Sequence, residues 1–201
     1  MFSIDAEDVK LVGGLAGLAS FTWQLIKESI HARHRPRLNI LPYHKDRDVA
    51  VPEHRCQDGS TESRQYICVY VENLGWRTAR GCIAWARATP VRGAGKTKRA
   101  SLHWADTPVA YSSTVSNLTA VDLLPRLERR LDVLVATSNR AHPFYLCSPQ
   151  ALYGNYFGDS ELAEGEHTIE IFATFEDGSL KKLKLRVTLP AKWDQARAEN
   201  V

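Results

Sequence analysis

Residues 167–189 read HTIEIFATFEDGSLKKLKLRVTL. Apolar side chains fall on every second position on either side of Asp177-Gly178. Asp-Gly favours the positive-φ geometry of a tight hairpin turn. Ile169, Ile171, Ala173 and Phe175 share one face of the first strand, and Leu183, Leu185, Val187 and Leu189 share the apolar side of the second. Lys182, Lys184 and Arg186 point the other way. A period of two with one apolar face means a sheet packed on a core on one side and wetted on the other.

The same period recurs upstream. RLNILPY (37–43) reads as a short first strand, with Pro42 marking an edge. Residues 44–63 are polar and read as a loop. RQYICVYVEN (64–73) is rich in β-branched and aromatic residues, with Ile67, Val69 and Val71 on one face. Residues 74–77 form a turn, and RGCIAWARAT (80–89) is the next strand. Shorter strands are expected near 102–104, 118–124 and 144–146. RLDVLVAT (130–137) alternates, with Leu131, Val133 and Val135 on one face. Most of 138–165 reads as irregular. Roughly seven or eight strands with no helical period between them argue for an antiparallel β-sandwich.

The totals agree. The chain has 201 residues, 44% hydrophobic and 24% charged, enough for one domain of ordinary size with an appendage. A formal net charge of +3 is far from the sustained basic surface of a dedicated nucleic-acid binder, so nucleic acid is not expected as a partner. Cys56, Cys68, Cys82 and Cys147 include no CxxC pair and read as free buried thiols.

The appendage is N-terminal. Leu11–Ile26, LVGGLAGLASFTWQLI, carries no charge. As a helix it would span roughly 24 Å. That is short for a bilayer core of ~30 Å, which thinning and snorkelling by Lys10 and Lys27 could accommodate. Gly13 and Gly17 form a GxxxG pair, in line with Ser20 and Gln24, and this stripe suits helix association in lipid. Lys27, Arg33, Arg35 and Arg37 after the segment, against Lys10 before it, place the body in the cytoplasm by the positive-inside rule. The sequon at Asn117 is then idle. Read this way, 1–36 is a single transmembrane segment with a basic flank, 37–190 the sandwich, and 191–201 a polar tail. The alternative is a cytoplasmic protein whose segment 11–26 packs as an ordinary amphipathic helix.

VYVENLGWRTARGCIAW (69–85) resembles the VxVxNxGxxxAxxC pattern of bacterial and archaeal CARDB-like, immunoglobulin-like sandwich modules. LTAVDLLPRLERRLDVLV (118–135) is similar to the turn into a later strand of the same modules. The resemblance covers about residues 64–89 and 118–136. It implies that Asn73 and Gly75 shape a hairpin turn, that Ala79 begins the paired strand, and that the module binds or assembles rather than catalyses. The basic cluster Arg126, Arg129 and Arg130 has no role in the pattern.

No motif specifies a reaction. PVRGAGKTKR (90–99) contains GKT, but Pro90 stands where a P-loop needs glycine, and no helical pattern comes after it. Its Arg92, Lys96, Lys98 and Arg99 are candidates for contact with an anionic ligand or lipid headgroups. The seven histidines show no zinc spacing; His54 and Cys56 lack a second pair of ligands. His103 and Asp106 in HWAD could pair as base and carboxylate, with a structural hydrogen bond as the plainer reading. Phe144, Tyr145, Tyr153, Tyr156 and Phe157 suit either a binding surface or the capping of the core. The expectation is therefore a non-catalytic, membrane-tethered binding or assembly module without cofactor or metal, with a protein partner or self-association. A soluble ligand-binding module and an enzyme with a dispersed site are the alternatives.

Overall fold

The computed structural model describes residues 20–30, 34–55, 59–92, 95–105, 107, 120–138, 143–149, 160–176, 178 and 180–201. Mostly antiparallel β-sheet, it is sandwich-like, with a short helix before it. Helix α1 covers 20–30. The strands are β1 (Leu38–Ile40), β2 (Val49–Arg55), β3 (Thr61–Asn73), β4 (Ala79–Pro90), β5 (Lys98–Ser101), β6 (His103–Trp104) and β7 (Val121–Leu123). After them come β8 (Glu128–Thr137), β9 (Phe144–Leu146), β10 (Glu161–Leu162), β11 (Gly165–Thr174), β12 (Lys181–Leu189) and β13 (Arg197–Asn200).

One sheet of seven strands runs β1-β3-β8-β9-β10, with β2 also on β3 and β6 also on β8. The other, of six, runs β13-β12-β11-β4-β5, with β7 also on β4. The hairpin β11–β12 pairs Ile169 with Leu185 and Ile171 with Leu183. Its apolar face enters a core shared by both sheets, with Val69, Val71, Leu131, Trp104 and Phe144 from the first and Ala84, Ala86, Ile169 and Leu185 from the second. Ala84, Ala86 and Ala88 of β4 are buried in this core.

Several expectations change. No helix among the described residues is long and apolar enough to cross a membrane, which overturns the single-pass transmembrane reading and the membrane localisation built on it. Residues 20–30 rise only about 16 Å as a helix, and Gln24, Lys27 and Glu28 break their apolar character. Helix α1 does not pack on the sandwich either: Phe21, Trp23, Leu25, Ile26 and Ile30 are all exposed. Ser20 and Gln24 are exposed on it, while Gly13 and Gly17 lie outside the described residues.

The polar loop 44–63 contains β2 and the start of β3, paired from Val49 opposite Tyr66 to Arg55 opposite Thr61. β2 lies at the sheet edge, paired to β3 alone, and polar side chains are compatible with an edge strand. The polar tail contains β13, paired to β12. Its Ala196 is buried, Trp193 packs against the core, and Asn200 exchanges two hydrogen bonds with the backbone of Tyr43 (2.8 and 2.9 Å). In β8 the simple alternation fails. The β3–β8 register shifts between Ile67 and Cys68, so Val133 and Leu134 both enter the core, while Val135 joins Tyr145 and Tyr66 in a separate cluster. A bulge carries one extra residue and flips the facing of the residues beyond it.

Candidate functional site

Asn73 ends β3 and is fully buried. Its Oδ1 accepts hydrogen bonds from the backbone N–H of Arg37 (3.1 Å) and of Gly75 (3.0 Å). Its Nδ2 donates to the carbonyls of Arg77 (2.7 Å) and Leu123 (2.9 Å). A single amide thus joins the segment entering β1, the passage 74–78 and β7. The backbone of Asn73 is also bound to the turn after β7: Arg126 N–H donates to its carbonyl (2.8 Å), and its own N–H donates to the Leu127 carbonyl (3.1 Å). Arg126 sits at φ 62, a conformation few non-glycine residues adopt.

Gly75 is required by close approach. A Cβ there would lie 2.8 Å from Arg37 N and Pro36 Cα, and nearer still to the Arg35 carbonyl oxygen. The stretch 73–79 is therefore no hairpin turn. β3 and β4 belong to different sheets, and Asn73 and Gly75 shape the crossing between them. The amide has two acceptor sites and two donors, which suits a corner where several backbones leave their ladders.

Around this corner opens a cleft of ≈ 1250 Å³. Its walls come from 34–37, 76–80, Pro125 and the β11–β12 end. Arg35, Arg37, Arg77, Arg80 and Lys181 line it against one carboxylate, Glu176. Glu176 lies against Gly81, whose φ of 60 calls for glycine. All five cations are exposed. Among the described residues none of them is in an ion pair. Arg47, Arg64, Arg87, Arg130, Lys182 and Arg186 elsewhere each face a carboxylate. Trp76 stands at the cleft 62% exposed, its ring tilted against that of His34 with centroids 6.2 Å apart.

A second group of polar residues is buried on the outer face of the seven-stranded sheet. Arg64 Nε donates to Glu62 Oε1 (2.6 Å), and Arg64 Nη1 to Tyr66 Oη (3.4 Å). Arg130 Nε donates to Asp132 Oδ1 (2.9 Å), as does the Cys68 thiol (3.2 Å). Because β6 pairs with β8 and sets His103 opposite Asp132, the carboxylate beside His103 is Asp132, with Nδ1 at 3.8 Å from Oδ2. Asp106 is outside the described residues. Burial, and then Asp132, push the Cys68 thiol far up, and burial does the same to Cys147. Cys82 is pushed up to about 11, again chiefly by burial. A nucleophilic cysteine needs the opposite shift. Among the described residues no group of three or more His, Cys, Asp and Glu could hold a metal ion.

The basic loop singled out in the sequence stays apart. Arg92 and Lys96 are exposed in the β4–β5 connection, while Lys98 and Arg99 belong to β5. The segment after GKT is strand, not helix. None of these four lines the cleft. Phe144 and Tyr145 are buried, so these two cap core; Tyr153, Tyr156 and Phe157 lie outside the described residues. Sequence reasoning missed Trp76-Arg77 with Arg80, read there as part of a turn and strand start, and Arg35 and Arg37, read as a membrane flank. The one signal in the sequence was a tryptophan between Gly75 and an arginine at a chain reversal.

No protein-family model matches the chain, and no curated protein matches it.

Proposed function

We propose that the chain is a non-catalytic binding module and that the cleft beside Asn73 receives an anionic ligand borne by a partner. The observation that carries this reading is the convergence of five cations, unpaired among the described residues, and an exposed tryptophan against a single carboxylate. Unpaired like charges in a concave site raise the local potential and favour an anion, and arginine adds planar two-point recognition of carboxylate or phosphate.

An immunoglobulin-like sandwich of the CARDB-like kind is part of the same proposal. The order β1-β3-β8 in one sheet and β12-β11-β4 in the other supports it. Strands A, B and E against C, F and G have this arrangement in immunoglobulin-like sandwiches. Such a scaffold presents connecting segments at its ends as recognition surfaces.

The test is binding of fluorescein-labelled polyglutamate to the full chain, followed by anisotropy. The expected result is binding that weakens as salt rises and is lost in the triple variant Arg37→Gln, Arg77→Gln, Arg80→Gln. Binding that the triple variant leaves intact, or no binding at low salt, would remove the cleft as the site.

A further inference from the structure

The occupant can be narrowed, on the footing of the anion site just proposed. We propose that the cleft takes a peptide segment of a partner protein in which acidic and large apolar side chains are mixed, rather than a nucleic acid or a free anion. Three observations favour this class.

The first is the company the cations keep. Trp76 is 62% exposed, and Leu124 and Leu127, each 53% exposed, flank Pro125 in the turn whose proline lines the cleft. Leu180, 51% exposed, precedes Lys181. A phosphate or a sugar-phosphate backbone leaves such apolar side chains wet, whereas an acidic peptide with leucine-like residues covers them.

The second is the residue types. Four of the five cations are arginines, and they stand beside a tryptophan. Arginine and tryptophan are enriched, and lysine depleted, where proteins bind proteins. Single-stranded nucleic acid is instead held by several aromatic rings that stack successive bases along a basic track. Among the described residues this cleft offers two exposed rings, Trp76 and the His34 imidazole tilted against it, and no series of them along a track.

The third is shape and surrounding charge. At ≈ 1250 Å³ and open to solvent, the cleft exceeds the ~300–1,000 Å³ of ordinary small-molecule pockets. Several cations elsewhere are paired: Arg87 and Lys182 with Glu170, Arg186 with Glu199, and Arg47 with Glu128. The five cations that line the cleft are gathered in one concave site, which suits a short acidic segment.

The experiment is anisotropy with the full chain and four probes. These are a short Glu/Leu peptide, the same peptide with Ser for Leu, inorganic pyrophosphate (as competitor) and oligothymidylate. The expected result is that the Glu/Leu peptide binds at least roughly tenfold more tightly than the Glu/Ser peptide. Trp76→Ala and Leu127→Ser should each weaken the Glu/Leu peptide by roughly tenfold while changing the Glu/Ser peptide little. Thermal unfolding of both variants serves as the check on folding, and if Trp76→Ala unfolds, Trp76→Gln replaces it. If pyrophosphate or oligothymidylate binds more tightly than the Glu/Leu peptide and this binding needs Arg77 and Arg80, the anion site stands and the peptide inference is overturned. If no probe binds in a manner that depends on Arg77 and Arg80, both readings fall together.

Discussion

Asn73 makes four hydrogen bonds from a fully buried side chain, and its partners are backbone groups of three separate segments. Removing it leaves buried donors and acceptors without partners, each costing on the order of 1 kcal/mol or more. Asn73→Ala is therefore expected to lower stability by about 3 kcal/mol or more, measured by urea unfolding. Asn73→Asp keeps the two accepted bonds but sets a carboxylate against the Arg77 and Leu123 carbonyls. Its loss should be larger at neutral pH than near pH 4, where the acid can be protonated and donate once; equal losses at both would contradict the donor role of Nδ2. Gly75→Ala should be comparably damaging, by roughly 2 kcal/mol or more, since the added carbon meets backbone rather than a flexible side chain. The thiols supply a separate check. Cys68, Cys82 and Cys147 are buried and raised in pKa. Iodoacetamide at pH 8 should leave these three unmodified in the folded chain and label them in urea, as read by peptide mass spectrometry.

The strands with strong alternation were legible, and for a physical reason. In β3, β4, β11 and β12 one face is core and the other is wet, so burial writes its period into the sequence. β2 and β13 were not legible, because edge strands can satisfy one side of their backbone with water and need no apolar pattern. β13 nonetheless matters. Ending the chain at Leu189 removes Ala196, Trp193 and both Asn200–Tyr43 bonds. The expected cost is about 2–4 kcal/mol, seen as a lower urea midpoint. On the outer face of β11, Glu170 bonds to Arg87 and Lys182. Lys182 first, then Arg87, hold its carboxyl below the ordinary 4.5. A carboxyl with a depressed folded pKa contributes stability that is complete above 4.5 and is lost as pH falls through the lower folded value. Glu170→Gln should flatten the loss of stability on acidification below pH 4.5 while leaving other acid-sensitive contributions in place.

Across the whole molecule, the sandwich was legible in the sequence and its site was not. A cleft of this kind has no period and no fixed spacing. It draws on residues 35–37, 76–80 and 181, which only the crossing of the chain between sheets brings together. The cations around GKT stood out in the sequence because they are adjacent, and adjacency is not convergence. The apolar segment near the N-terminus misled for a related reason: absence of charge is equally compatible with a bilayer and with an exposed helix. Because every residue of 20–30 is exposed, a chain starting at His34 should keep the stability of the full chain within about 0.5 kcal/mol, measured by urea unfolding; a larger loss would show that the helix contributes to the fold.

The attachment of the chain at Asn73 also sets how the molecule would bear load. Tension applied through helix α1 reaches the sandwich at Arg37, whose N–H is held by Asn73 Oδ1 and whose carbonyl accepts from Leu74 N–H at 2.8 Å. Beyond that grip lies β1, only three residues long. Pulling from this side is expected to peel away the 34–37 wall of the cleft before it disturbs the longer β3–β8 and β11–β12 ladders. A tug on the leading segment is therefore expected to open the proposed cleft while the sandwich stays intact, with one buried amide as its first point of resistance.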